Sequence, residues 1–218
     1  MDKTLKFLAK LKKNNDRDWF NANKKEYEAA REEFEGAVED LIGRIAGFDP
    51  SVIGTAPKDC VFRIYRDVRF SNDKSPYKTA FGAYIAEGGR KSMAPGYYIH
   101  VEPKASFLAG GMYRPPAPDL LAVRSAIAED PKALKKIENA ASFKKYFGRI
   151  EAHESLKTAP KGFDPEHPAI DYLRLKGFTV MHSVKDADVR DPKFPAHGVR
   201  VFKAMKPLLD YLRSASGA

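Results

Sequence analysis

The sequence contains one cysteine, Cys60, among 218 residues. A single cysteine cannot form a disulfide within its own chain, and a lack of disulfides is typical of proteins in a reducing compartment. We therefore expect a cytoplasmic protein. Cys60 precedes the apolar pair Val61 and Phe62, a position that favours a buried small hydrophobic side chain over a nucleophile.

Long apolar runs and familiar catalytic patterns are also missing. No stretch approaches the roughly 20 apolar residues that cross a bilayer, and residues 1–13 carry charges where a signal peptide would have an apolar core. Neither a membrane partner nor a secretory leader is expected. The sequence has no Gly-x-x-x-x-Gly-Lys phosphate loop, serine elbow or zinc-ligand spacing. We therefore predict no cofactor and no bound metal.

Acidic residues are the minority among the charged ones. The sequence has 29 Asp and Glu residues and 38 Lys and Arg residues, which gives a net charge of +9. A positive excess attracts anions and holds nucleic acid non-specifically, although it can also serve solubility alone. With 43% hydrophobic and 31% charged residues, the composition is that of a globular protein. A chain of this length can bury a core without disulfides or metals.

Hydrophobic spacing divides the chain into three regions. Apolar residues at three- and four-residue steps predict helices over residues 1–48, interrupted after residue 13 by turn-forming residues. The candidate caps of the second helix are Asp18, Asn21 and Asn23. From about residue 60 to 112 the period is two, and strands are predicted at Val61–Phe70, Thr79–Ala86, Gly96–Glu102 and Ser106–Leu108. Residues 118–215 are predicted to be helical at Leu120–Glu129, Pro131–Ala140 and Phe194–Ala215, with one short strand at Phe178–His182.

Short connections between consecutive strands imply antiparallel pairing, because a parallel crossover needs a dozen or more residues. We predict a single α+β domain over residues 1–218, with a mainly antiparallel sheet of four or more strands in the middle of the chain, flanked by N-terminal and C-terminal helices. Gly110 and Gly111 would allow either a close approach of another backbone or a tight bend, and the bend is the favoured interpretation.

The predicted strand Val61–Phe70 has one apolar and one charged set of side chains. Strand side chains alternate between faces, so the even-numbered residues would face the core. The odd-numbered residues of the opposite face are Arg63, Tyr65, Asp67 and Arg69. A later strand divides in the same way, and its polar set is Tyr98, His100 and Glu102. We predict that both polar sets share one face of the sheet.

The loop after this strand adds further bases and aromatics. Residues 63–78 contain five basic and two acidic residues. The planar arginine fork and the lysine point charge both suit phosphate or carboxylate. Lys161 joins the set because it lies on a rigid, glycine-terminated loop. The predicted ligand-binding residues are Arg63, Tyr65, Arg66, Asp67, Arg69, Lys74, Tyr77, Lys78, Tyr98, His100 and Lys161.

Three of the polar residues are candidates for acid–base chemistry. His100 could exchange a proton while Asp67 or Glu102 orients its ring. The same residues could also hold a divalent metal, but the nearby arginines disfavour a cation.

Several motifs resemble those of the bacterial and fungal family known as domain of unknown function 2461. They are Asn14-Asn15, Asp18-Trp19-Phe20, Tyr27, Arg63–Lys78, Gly110-Gly111-Met112, Ala159–Gly162, Glu166–Pro168 and Leu173–Lys176. This family often has aspartate where the chain has Glu166. The resemblance implies one soluble domain and brings no established activity.

Three functions remain open from the residues. The leading hypothesis is a pocket for a small anionic ligand bearing phosphate or carboxylate, with or without catalysis. The first alternative is a nucleic-acid-binding module, which the acids of the 63–78 motif disfavour because they repel a phosphate backbone. The second is a structural or interaction protein, in which the arginines and aspartates form an internal network. The sequence does not specify an oligomeric state.

Overall fold

The computed structural model describes residues 1–217. Within them the chain forms ten α-helices and a four-stranded antiparallel sheet, which confirms the predicted α+β class. The helices are α1 (Asp2–Lys13), α2 (Arg17–Ala22), α3 (Lys24–Ala46), α4 (Pro57–Cys60), α5 (Ala117–Glu129), α6 (Pro131–Asn139), α7 (Ala141–Tyr146), α8 (Ile170–Leu173), α9 (Asp186–Arg190) and α10 (Phe194–Ser216). The strands are β1 (Phe81–Ile85), β2 (Gly96–Val101), β3 (Ser106–Met112) and β4 (Phe178–Val184).

The N-terminal helices contribute residues to the site described below. The side chain of Asp16 caps the short helix α2 by accepting a hydrogen bond from the Trp19 amide at 2.8 Å. The longer second helix expected from the sequence is α3, and one of its three candidate caps is at its N-terminus. Asn23 occupies the N-cap position of α3. Apolar residues recur along α3 at three- and four-residue steps, and this stripe is buried as predicted.

The sheet runs β1-β2-β3-β4, with each strand paired to the next in the chain. Ala83 lies opposite Ile99, and Ile99 lies opposite Leu108, so these three buried residues share one face. Helices α3 and α10 pack on this face. The opposite face is partly exposed to solvent, as shown by Met181, which is 57% exposed. The predicted division of β2 into a buried and a more polar side is therefore confirmed.

Gly110 and Gly111 lie inside β3, so the predicted bend is wrong. A methyl group on Gly110 would lie 2.4 Å from the sulfur of Met205 in α10. Gly111 has a φ of +124°, and a methyl group there would lie 2.0 Å from the carbonyl oxygen of Phe178 in β4. The pair therefore allows close approach of a helix on one side and of a strand backbone on the other.

The segment Val61–Phe70 is not a strand of the sheet, which corrects the prediction; it bends at Ile64 and turns at Arg69 and Phe70. It makes only isolated bridges, Val61 with Ala83 and Tyr65 with Tyr77. The second bridge joins the segment to its own following loop, because the Arg66 amide donates to the Pro76 carbonyl at 2.9 Å. The backbone groups that would continue the sheet are thus used locally. Alternation persists in the burial at its start, where Ile64 is buried and its odd-numbered neighbours are exposed.

Among residues 1–217, no helix combines the length and the apolar content that a membrane crossing requires.

Candidate functional site

A cleft of about 440 Å³ opens at the outer edge of β1. Helices α3 and α4, the extended segment 61–65 and the 3-10 turn Gly89–Lys91 form its walls. Its basic lining residues are Arg31, Lys58, Arg63, Lys78, Arg90 and Lys91. Its aromatic lining residues are Tyr27, Phe62, Tyr65 and Phe81. No acidic side chain lines the cleft within the part of the chain that the structure describes.

Backbone contacts place the bases of α4 and the 3-10 turn beside each other. Gly89 has a φ of +65°, and a methyl group there would lie 2.5 Å from the carbonyl oxygen of Asp59. Only glycine therefore lets the turn approach α4 this closely. Arg90 then donates a hydrogen bond from Nη1 to the carbonyl oxygen of Lys58 at 2.7 Å. This contact ties Lys58, Arg90 and the adjoining Lys91 to one rim of the cleft.

Most of the basic residues of the cleft form no ion pair with residues 1–217. Arg31 is the exception, because its Nε lies 2.8 Å from Glu35 on the same helix. For Lys58, Arg63, Lys78 and Lys91, no side-chain hydrogen bond or ion pair is made with any residue of 1–217. Asp59 adjoins Lys58 in sequence, but it forms no ion pair with the described residues. These four bases keep all their donors available to a ligand.

Lys78 is the half-buried base of the cleft. Burial lowers the pKa of its ammonium group, and the positive charge of Arg63 lowers it further. Its Nζ lies 5.6 Å from the centre of the Phe62 ring, which partly compensates the charge through a cation–π contact. A ligand carboxylate or phosphate would supply the missing counter-charge at this position.

Three of the predicted binding residues, Arg63, Tyr65 and Lys78, line this cleft. Tyr65 is 52% exposed and offers an accessible phenol. Tyr77 is buried instead, with its ring stacked on Phe20 at a centroid distance of 4.0 Å. Its position indicates a structural role under the cleft and not ligand contact.

Four other predicted residues are engaged within the loop that follows. Arg66 pairs with Asp73 and also donates to the Ser75 carbonyl oxygen at 3.3 Å. Asp67 forms an ion pair with Arg69 at 2.7 Å, and Lys74 donates a hydrogen bond to the Val68 carbonyl oxygen at 3.0 Å. Hydrogen bonds from Ser75 and from Arg66 lower the pKa of Asp73 to about 2. Part of the hydrogen-bonding capacity of these four residues is therefore used within the loop, and none of the four lines the cleft.

The predicted gathering of both polar sets on one sheet face is wrong. Val61 lies opposite Ala83, which places Val61 on the helix-covered face, whereas Arg63 and Tyr65 beyond it are exposed in the cleft at the outer edge of β1. Phe62 falls on the other side, and its ring centre lies 6.3 Å from that of Tyr98. The pairing register decides this assignment, because a slip of one residue would move the paired side chains to the other face.

Tyr98, His100 and Glu102 do lie together on the partly exposed face. The Tyr98 hydroxyl lies 3.0 Å from His100 Nδ1, and His100 Nε2 lies 3.4 Å from Glu102. Burial lowers the pKa of His100, although Glu102 opposes this shift. The His100 ring also stacks on Phe107 at 4.6 Å. The three residues form a hydrogen-bonded chain with a neutral imidazole, separate from the cleft lining.

The other candidates lie elsewhere. Asp67 bonds Arg69 in the exposed loop and joins neither His100 nor Glu102 among the contacts of residues 1–217. Lys161 is exposed in the turn after Pro160 and is not part of the cleft lining. Cys60 is fully buried, and burial raises the pKa of its thiol to about 11, which is the environment of an inert structural thiol. No trio of His, Cys, Asp or Glu within the described range is placed to hold a metal ion.

Sequence reasoning missed four of the basic residues, namely Arg31, Lys58, Arg90 and Lys91. Each has an ordinary local appearance, on the polar side of a helix or in a turn rich in glycine. They converge only through the packing of α3, α4 and the 3-10 turn. The excess of positive charge in the composition was the one signal that pointed to such a cluster.

The fold and the cleft define an α+β protein with a candidate anion-binding site at the edge of an antiparallel sheet. A family model described as conserved hypothetical protein (DUF2461) matches residues 3–211. The chain belongs to this family, as its motifs predicted. Comparisons with curated proteins and with solved structures gave no significant match.

Proposed function

We propose that the protein binds a small anionic ligand, bearing phosphate or carboxylate, in the basic cleft. The observation that carries this proposal is the composition of the lining, which has six basic side chains and, within residues 1–217, no acidic one. In a chain that also contains 29 acidic residues, a solvated surface of ordinary composition would bring acids among the bases. Their exclusion from this cleft favours a negatively charged occupant.

The shape and donor types of the cleft support the same occupant. Its volume of about 440 Å³ lies in the range of sites that bind small molecules. Arginine supplies a planar fork for two oxygens, whereas lysine supplies a mobile point charge. The aromatic residues Tyr27, Phe62 and Tyr65 add apolar walls, and partial burial strengthens each charge–charge contact.

The alternative of an internal arginine–aspartate network receives less support. Arg63 makes no ion pair with the described residues, and Asp67 pairs with Arg69 at the protein surface. Surface pairs of this kind contribute little to stability. The bases of the cleft therefore add to the cost of folding and are better explained by a ligand.

A thermal-shift screen with phosphorylated and carboxylated metabolites tests the proposal. A ligand at one hundred times its Kd stabilises the folded state by about 2.7 kcal/mol, which is a readily measured rise in Tm. We expect at least one compound to raise the Tm of the natural protein. Lys78→Met should abolish that rise, because it removes the half-buried charge and retains most of the side-chain volume.

Lys132→Met is the matched control, since Lys132 is exposed, is not part of the cleft lining and makes no side-chain ion pair with the described residues. It changes the net charge by the same amount and should leave the shift intact. The proposal is refuted if no compound shifts the Tm of the natural protein. It is also refuted if both variants respond as the natural protein does.

A further inference from the structure

The number of uncompensated charges in the cleft restricts the class of ligand. Once Arg31 is paired with Glu35, five basic residues remain without an acidic partner among residues 1–217, and they are Lys58, Arg63, Lys78, Arg90 and Lys91. One phosphate group carries about −1.5 to −2 charges at pH 7. A single phosphate would therefore leave about three positive charges without a counter-charge, and a single carboxylate would leave more.

Mutual repulsion makes that remainder unfavourable. Arg63 already contributes to the lowered pKa of Lys78, which shows that the two cations are close enough to act on each other. Lys58 and Arg90 are held together by the hydrogen bond between the Arg90 guanidinium and the Lys58 carbonyl oxygen. These four bases line the same cleft. Only an occupant of comparable negative charge neutralises all of them.

The volume of the cleft also favours a ligand with several phosphate groups. A water molecule accounts for about 30 Å³ of liquid water, and one phosphate group is larger than this by only a few atoms. The cleft measures about 440 Å³. It has room for a chain of phosphate groups that could reach the bases of α4 and the 3-10 turn as well as Arg63 and Lys78.

From the charge and the size together, and resting on the proposed function, we infer that the cleft binds ligands with two or more linked phosphate groups. The linked phosphates contact several of the five bases at once. A ligand with one phosphate or one carboxylate engages fewer of these bases and binds more weakly.

Isothermal titration with orthophosphate, pyrophosphate and tripolyphosphate tests this inference at constant pH and ionic strength, without divalent cations. We expect Kd to fall by about tenfold or more with each added phosphate, which corresponds to about 1.4 kcal/mol per step. Lys91→Met should weaken tripolyphosphate binding by about tenfold and affect orthophosphate less, because a short ligand need not reach that residue. Lys132→Met should leave all three affinities unchanged.

Three results would overturn the inference. Orthophosphate or acetate binding as tightly as tripolyphosphate would leave the anion site standing and remove the preference for linked phosphates. Binding of a metabolite with one anionic group in the thermal-shift screen, without binding of pyrophosphate or tripolyphosphate, would do the same. Equal weakening by Lys91→Met and Lys132→Met would show attraction by the whole surface instead of the cleft. If no anion binds at all, the proposed function fails as well.

Discussion

Asp49 is a buried carboxylate, 2% exposed, that joins distant parts of the chain. It accepts a hydrogen bond from the Tyr97 hydroxyl in β2 at 2.7 Å and lies 3.0 Å from the Arg213 guanidinium in α10. Burial by itself would raise the pKa of Asp49, but the hydrogen bonds from Tyr97 and Ser51 and the charge of Arg213 lower it below its usual value. The carboxylate is therefore ionised, and it accepts hydrogen bonds from Ser51, Tyr97 and Arg213.

Replacing this carboxylate should be strongly destabilising. Asp49→Ala leaves Tyr97 without its acceptor and Arg213 without its buried counter-charge, and loss of one partner of a buried ion pair costs about 3–5 kcal/mol. Asp40→Ala is the matched control, because Asp40 pairs with Arg44 on the exposed side of α3 and should cost less than about 1 kcal/mol. Urea denaturation measures both. Equal losses for the two variants would contradict a special role for the buried pair.

The same residue predicts a pH dependence. Because the folded-state pKa of Asp49 is lowered, its contribution to stability is complete above the unfolded pKa of about 3.9 and is lost as the pH falls through the folded value. The natural protein should therefore lose stability below about pH 4. Asp49→Asn should be less stable at neutral pH, and the difference between the two proteins should shrink in acid. A constant difference from pH 7 down to the lowest pH at which both still fold would contradict this assignment.

At the scale of elements, the extended segment and its loop are held against the N-terminal helices. The Asn15 side chain donates to the Tyr77 carbonyl oxygen at 2.9 Å and accepts from the Tyr77 amide at 3.1 Å. The Tyr77 ring stacks on Phe20 of α2. Lys78 comes next in the chain, so this clamp also sets the position of a cleft base. Asn15 and Phe20 belong to the motifs that carried the family resemblance, and their contacts give those motifs a structural reason.

Asn15→Ala should release this clamp. The two lost hydrogen bonds leave partly buried backbone groups of Tyr77 unpaired, at a cost of about 1–3 kcal/mol. Hydrogen exchange across residues 61–78 should become faster, and anion affinity should fall. Asn14→Ala is the neighbouring control, because the Asn14 side chain bonds only the Lys10 carbonyl oxygen at the exposed end of α1. Unchanged exchange in Asn15→Ala would show that the stacked rings hold the segment without the clamp.

The type of element could be predicted where a regular spacing of apolar residues continues over many consecutive residues. The strands β1, β2 and β4 and the long helices α3 and α10 begin and end within a few residues of their predicted positions. The segment Val61–Phe70 shows the limit of that reasoning. Alternation of polar and apolar residues marks an extended chain, but it does not state whether the backbone pairs with a sheet or with its own loop.

At the scale of the whole molecule, contacts join the two ends of the chain. The N-terminal ammonium group donates to the Val189 carbonyl oxygen at 2.8 Å, and Arg213 near the C-terminus bonds Asp49. Side chains of α1, α3, all four strands and α10 contribute to one cluster of buried apolar residues. Loss of either end would therefore expose apolar surface on the other.

We therefore expect the chain to unfold in one cooperative step. Scanning calorimetry should show a single transition whose calorimetric and van 't Hoff enthalpies agree, with a ratio of about 1. Asp49→Ala should lower the temperature of that transition without dividing it. Two resolved transitions, or a ratio well above 1, would show that the N-terminal helices and the C-terminal region unfold separately.

The sequence by itself determined the local properties of this protein. The spacing of apolar residues settles which segments are helical or extended, because each residue's preference depends on neighbours within a few positions. The motifs also identified the family, and the excess of lysine and arginine sets the net charge of +9.

Only the tertiary structure decided where the positive charges meet. Neighbouring members of the set Arg31, Lys58, Arg63, Lys78 and Arg90 are 5 to 27 residues apart along the chain, and the packing of α3, α4 and a glycine turn brings them around one cleft. The pairing of Val61 with Ala83 likewise assigned each side chain of the extended segment to its face. Both outcomes depend on contacts between residues far apart in sequence, and local periodicity carries no information about such contacts.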